Sequence, residues 1–210
     1  MTRLWVGIMA ALALFGTGVD AAEDYPYAGF FADVGKGEAA EITAVRCALA
    51  FFEQRADGSF SHYHIDNKAF RANGTVQYLH YREGACSFDS LSRIETCRSS
   101  LDLTDRDDQV YDMYIVYGEI GADRVAYTYA DTPEEAAAIA AGGETELEDD
   151  DTGFYARCPI NAAVLRTHIA AQDSSYSEGA INAFDDPASS LLKGDLARGV
   201  LETLSTPATP

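Results

Sequence analysis

The segments Tyr111-Asp112-Met113-Tyr114-Ile115-Val116-Tyr117 and Arg124-Val125-Ala126-Tyr127-Thr128-Tyr129-Ala130 carry the clearest alternation in the chain. Successive side chains of a β-strand leave opposite faces. Tyr111, Met113, Ile115 and Tyr117 therefore share one face, and Val125, Tyr127 and Tyr129 share one face of the partner. The connection around Gly121 is short enough for an antiparallel hairpin. An even register brings both apolar sets to one side, which is the expected core face. Asp112, Tyr114, Arg124 and Thr128 fall on the more polar side.

Upstream the same pattern repeats. Ser59-Phe60-Ser61-His62-Tyr63-His64-Ile65 reads as a strand, residues 67–73 as a connection ending in the Asn73-Gly74 turn, and residues 75–82 as the next strand. Residues 38–55 fit two periods. Ile42, Val45, Leu49 and Phe52 suit a helix face, whereas Val45, Cys47, Leu49 and Phe51 suit a strand face. Ala56-Asp57-Gly58 is a hairpin turn, so residues 45–54 are expected to be a strand paired with 59–65. Glu83-Gly84 reads as a further turn, with two short strands between residues 86 and 99. The aromatic entry Tyr25-Pro26-Tyr27-Ala28-Gly29-Phe30-Phe31 precedes all of these as a short strand.

After residue 131 the period changes. Thr132 has an N-cap side chain, Pro133 suits the first helical position and Glu135 completes a capping box, with Gly142-Gly143 as the stop. Residues 153–157 fit a short strand. Pro159 and Asp186-Pro187 open two more helices, the last with a stripe of Leu191, Leu192, Leu196, Val200 and Leu204. Strands followed by helices imply an α+β class: an antiparallel β-meander of about six to eight strands, open or barrel-like, then two or three helices.

Arg3, the apolar run from residue 4 to 15 and the small residues Val19-Asp20-Ala21-Ala22 have the form of a secretory signal, cut after Ala21 or Ala22. The run is short of the ~20 residues a spanning helix needs. The expected plan is a signal over residues 1–22, one α+β domain over 23–204 and a flexible tail over 205–210, in a periplasmic or secreted protein with no membrane span after cleavage. Four cysteines in an exported chain suggest two disulfides. Of the three pairings, Cys86–Cys97 closes a short loop, and Cys47–Cys158 ties an early element to the late helical region. A net charge of −19 repels phosphate, so a nucleic-acid partner is not expected.

His62 and His64 lie two apart on one strand and leave the same face. If His62 faces His80, three imidazoles converge, a ligand set suited to Zn or Cu. Against this, His-x-His is common on half-exposed strands. Two acidic clusters, Asp102 to Asp108 and Glu144 to Asp151, lack the spacing of a calcium loop and read as solvated. Of the twelve tyrosines, Tyr78 and Tyr114 are candidate ligand-binding residues. No G-x-S-x-G elbow, H-E-x-x-H or phosphate loop is present. The expectation is an exported, non-catalytic domain of the bacterial envelope that binds an unknown small molecule or envelope protein without a cofactor. The alternative is a metal-binding protein or metal-dependent enzyme using His62, His64 and His80.

Overall fold

A computed structural model describes residues 25–35, 42–102, 112–142, 152–169 and 189–205. Its eight strands form a closed antiparallel meander barrel: β1 (Gly29–Gly35), β2 (Ala50–Gln54), β3 (Ser59–Ile65), β4 (Tyr78–Asp89), β5 (Ile94–Asp102), β6 (Asp112–Ile120), β7 (Arg124–Ala130) and β8 (Thr152–Arg157). Each strand pairs with the next, and β1 closes on β8 with Phe31 opposite Arg157 and Val34 opposite Phe154. Among the described residues the helices are α1 (Ile42–Leu49), α2 (Asn67–Asn73), α3 (Pro133–Ala140), α4 (Ala162–Thr167) and α5 (Ser189–Ser205). The expected signal and both acidic clusters fall outside the described residues, apart from Asp102 at the end of β5. No helix among the described residues is long and apolar enough to cross a membrane.

The barrel wall separates two cores. Inside, Phe31, Phe52, Phe60, Ile115, Tyr117, Val125, Tyr127 and Tyr155 pack with Tyr27. Outside, Phe30, Phe51, Tyr63 and Ile65 leave the opposite faces of β1–β3 and are covered by Cys47, Ala48, Leu165, Leu196 and Val200 of the helices. Alternation along one strand thus feeds both cores, so β1–β3 are apolar on both faces. The expected disulfides are both present. Cys47–Cys158 pins α1 to the chain leaving β8, and Cys86–Cys97 joins directly opposed residues of β4 and β5. Two disulfides fit an oxidising compartment.

The β6–β7 register pairs Ile115 with Tyr129 and Tyr117 with Tyr127, which puts Met113, Ile115 and Tyr117 on the interior face with Val125, Tyr127 and Tyr129; Tyr111 lies outside the described residues. Thr132 caps α3 by accepting from the Glu135 amide at 3.2 Å, and the Glu135 carboxylate accepts from the Asp131 amide at 2.9 Å. Three expectations are corrected. Residues 42–49 are helix, and strand begins only at Ala50: helical spacing turns Cys47 and Ala48 into the outer core against α5. Residues 67–73 form α2, capped by Asp66 through the Ala69 amide and ended by Gly74 in the left-handed conformation. Glu83-Gly84 is not a turn. Here β4 runs on to Asp89 with a register shift at Gly84, where a Cβ would meet the Arg98 carbonyl and lie 2.8 Å from the Phe60 ring.

Candidate functional site

The barrel interior is not completely filled. A cavity of about 260 Å³ remains among the rings of Phe52, Phe60 and Tyr155, with Ile115, Met113 and the Cys86–Cys97 disulfide in its wall. Strand directions in a meander sort its lining by height. Gln54, Phe60, Cys86 and Glu95 stand near the end where the β2–β3 and β4–β5 turns lie. Asp33, Ala50, His62, Arg82 and Tyr129 stand toward the other end, with Arg46 of α1.

The first end is closed by the chain that enters β1. Tyr27 packs edge-on against Phe31 and Tyr117, at 5.2 and 5.6 Å between centroids. Arg157 lies over the Phe31 ring at 4.7 Å and donates to the Ala28 and Ala122 carbonyls at 3.1 and 2.8 Å. Gly29 sits there with φ +132°, and a Cβ would press on that guanidinium.

Beneath the cavity lies a polar chain. The hydroxyls of Tyr27 and Tyr117 are 2.6 Å apart, and Tyr117 donates to Glu95 Oε2. Glu95 is only 1% exposed, and its other oxygen, Oε1, is buried with no hydrogen-bond partner among the described residues. Burial pushes the Glu95 carboxyl up to about 8, with the Tyr117 hydrogen bond opposing the shift. At pH 7 the group is therefore mainly a neutral carboxylic acid. Burial raises the Tyr117 and Tyr155 phenols as well, so both stay neutral. Higher up, Tyr127 donates to Asp33 at 2.5 Å, and the Tyr129 and Tyr155 hydroxyls are 2.7 Å apart.

The candidate residues read from sequence are distributed unequally. His62 and His64 do share the interior face. His62 stacks on Phe52 at 5.3 Å and lines the cavity, and His64 packs on Tyr81 at 4.3 Å. His80 does not join them. The register pairs His62 with Arg82 but Tyr63 with His80, leaving Tyr81 as the extra residue of a bulge. That slip sends His80 to the outer face, where it packs on Tyr63 at 5.4 Å and lies 3.5 Å from Glu83 Oε2. Among the described residues the three imidazoles are not grouped as ligands of one ion, and the pairing of His62 with His80 on which their convergence depended is not the one formed.

Tyr78 is fully buried outside the barrel and donates to the Ala48 carbonyl at 3.1 Å. Tyr114 lies on the outer-face side of β6, opposite Thr96. Neither lines the cavity. Among the described residues, Cys86, Glu95 and Cys97 bring three ligand-type atoms within 4.8 Å of one another. Their two sulfurs are joined to each other, so neither offers a thiolate.

Sequence reasoning misses Glu95, though a signal for it exists. It stands two residues before Cys97 and so shares the face of a residue expected to be buried in a disulfide. No protein-family model, curated protein or solved structure matches this chain.

Proposed function

We propose that this chain is an exported binding protein of the bacterial envelope that encloses one small, largely apolar molecule within its barrel. The observation that supports this is the cavity of about 260 Å³ in an interior otherwise filled by rings. An eight-stranded barrel is just wide enough for side chains to fill or for one small ligand to occupy. Apolar walls with a few converging polar groups are the usual make-up of such a site. Binding rather than catalysis is proposed because the cavity's phenols of Tyr27, Tyr129 and Tyr155 are held neutral by burial, the reverse of an activated nucleophile. Export is supported by the disulfides together with the amino-terminal signal pattern.

The test uses the neutral fluorescent probe N-phenyl-1-naphthylamine. Purified protein should bind it saturably at one site, and Met113→Trp, which projects a larger ring into the wall, should abolish binding while keeping the wild-type circular dichroism. Absence of saturable binding by the wild type rejects the reading. Expression in a diderm bacterium should give an envelope-fraction protein beginning after Ala21 or Ala22; an intact amino terminus in the cytoplasm rejects export.

A further inference from the structure

We infer that the ligand class of this cavity is a protonated organic amine with an aromatic or aliphatic body, its nitrogen seated against the Glu95 carboxyl. The inference rests on the cavity reading above and narrows it to a chemistry.

Glu95 is the feature that ring packing alone does not explain. It points inward from the start of β5, is buried, and lines the cavity. Tyr117 satisfies one of its oxygens, and the other has no partner among the described residues. In the neutral acid that oxygen carries the proton and finds no acceptor among the described residues; once the proton leaves, it is a buried acceptor whose missing partner costs free energy that a bound donor recovers. A ligand N–H supplies that donor, and an ammonium supplies it with a charge. The rings of Tyr27, Phe60 and Tyr155 border the same space, and the faces of aromatic rings attract cations. The net charge of −19 favours the approach of cations over anions.

The other ionisable groups of the lining stand elsewhere. Asp33 on β1, His62 on β3, Arg82 on β4 and Arg46 on α1 lie toward the opposite end of the barrel. The acidity of Glu95 is set by its burial and by the Tyr117 hydroxyl, without a charged neighbour. From β6 and β8 it is faced by the neutral phenols of Tyr117 and Tyr155, and Tyr27 of the entry segment joins through the Tyr117 hydroxyl.

Binding then carries a proton balance. The carboxyl starts as the neutral acid, the ammonium enters, the carboxyl gives its proton to solvent and the ion pair remains. Affinity for the cation should therefore rise about tenfold per pH unit below pH 8, then level off. A neutral ligand that accepts a hydrogen bond from the protonated acid would show the reverse, constant affinity at low pH and loss above pH 8.

The experiment is competition against bound N-phenyl-1-naphthylamine by phenethylammonium and its uncharged analogue phenethyl alcohol, between pH 5.5 and 9. In the wild type the ammonium should displace the probe at about tenfold lower concentration than the alcohol at pH 7.5, the size of a charge-assisted hydrogen bond. Its affinity should rise with pH, and calorimetry in two buffers of different ionisation enthalpy should show release of close to one proton. Glu95→Gln, with wild-type circular dichroism, should lose the preference for the ammonium over the alcohol. If the probe binds but the ammonium has no advantage, or its affinity does not rise with pH, the amine inference is overturned while the cavity reading stands. If the probe does not bind the wild type, both fall. The pH profile needs no variant, so a folding defect in Glu95→Gln would not shield the inference.

Discussion

The Tyr117 hydroxyl donates to the buried carboxyl of Glu95 across the β5–β6 pair, from two residues beyond Ile115, the residue opposite Glu95. The Tyr27 hydroxyl joins Tyr117 from the other side, so the segment entering β1 is tied to the middle of the meander through the Tyr117 hydroxyl.

That carboxyl makes stability depend on pH with a definite sign. In the unfolded chain Glu95 ionises near 4.5, and in the folded chain at about 8. Below pH 4.5 both states hold the proton and nothing is lost. Between 4.5 and 8 the unfolded state is favoured increasingly as pH rises, and above 8 the loss is complete. Gln keeps the shape without the proton, so Glu95→Gln should be more stable than wild type by on the order of 3 kcal/mol at pH 7, and by little at pH 4. Urea melts at both pH values check this; a difference that does not change with pH would assign the effect to something other than ionisation.

The two disulfides should differ in what they contribute. Cys47–Cys158 closes a loop of 111 residues and Cys86–Cys97 one of 11. Loop-closure entropy gives about 4.8 kcal/mol for the first and about 2.8 kcal/mol for the second. Cys47→Ala/Cys158→Ala should therefore melt well below Cys86→Ala/Cys97→Ala. The reverse order would mean that the barrel wall, rather than the denatured chain, decides.

Gly84 is a packing requirement. A methyl group there would run into the Arg98 carbonyl and lie 2.8 Å from the Phe60 ring. Gly84→Ala should cost about 2 kcal/mol or more, since backbone cannot yield as a flexible side chain can. Gly74→Ala offers a control, with nothing within 4 Å but a φ of +73°. Its loss should be the smaller, about 1 kcal/mol from strain alone. Chemical denaturation of the pair distinguishes collision from conformation.

His80 faces away from His62 and His64, so it should not contribute to any zinc affinity of the chain. Calorimetric titration of wild type and His80→Ala with zinc should give superimposable isotherms. Tight binding lost on His80→Ala would show that the imidazoles converge after all and that the Tyr81 bulge is misplaced.

Much of the architecture is local and so legible in the order of residues alone. Strict alternation at Met113–Ile115–Tyr117 and Val125–Tyr127–Tyr129 reports burial directly, because only one face of each strand meets the core. The Thr132 cap and the Asn73-Gly74 turn act through their own neighbours in the chain, whereas the helix that this turn ends reads as a connection in the sequence. The stretch preceding Ala50 is not legible in this way, since its apolar residues satisfy both periods and contact with α5 favours the helix.

What the sequence by itself determined is the antiparallel meander and its core-facing tyrosines, both consequences of short-range pattern; it offered three cysteine pairings, and the fold selects Cys47–Cys158 and Cys86–Cys97. Tertiary structure decided the rest. Closure of β1 on β8 joins residues such as Phe31 and Arg157, too far apart in sequence for pattern to connect. One extra residue at Tyr81 pairs His80 with Tyr63 rather than with His62, a register that spacing alone does not reveal. Glu95 acquires its chemistry only when eight strands have curled around it, because desolvation is a property of the enclosed space and not of the residue.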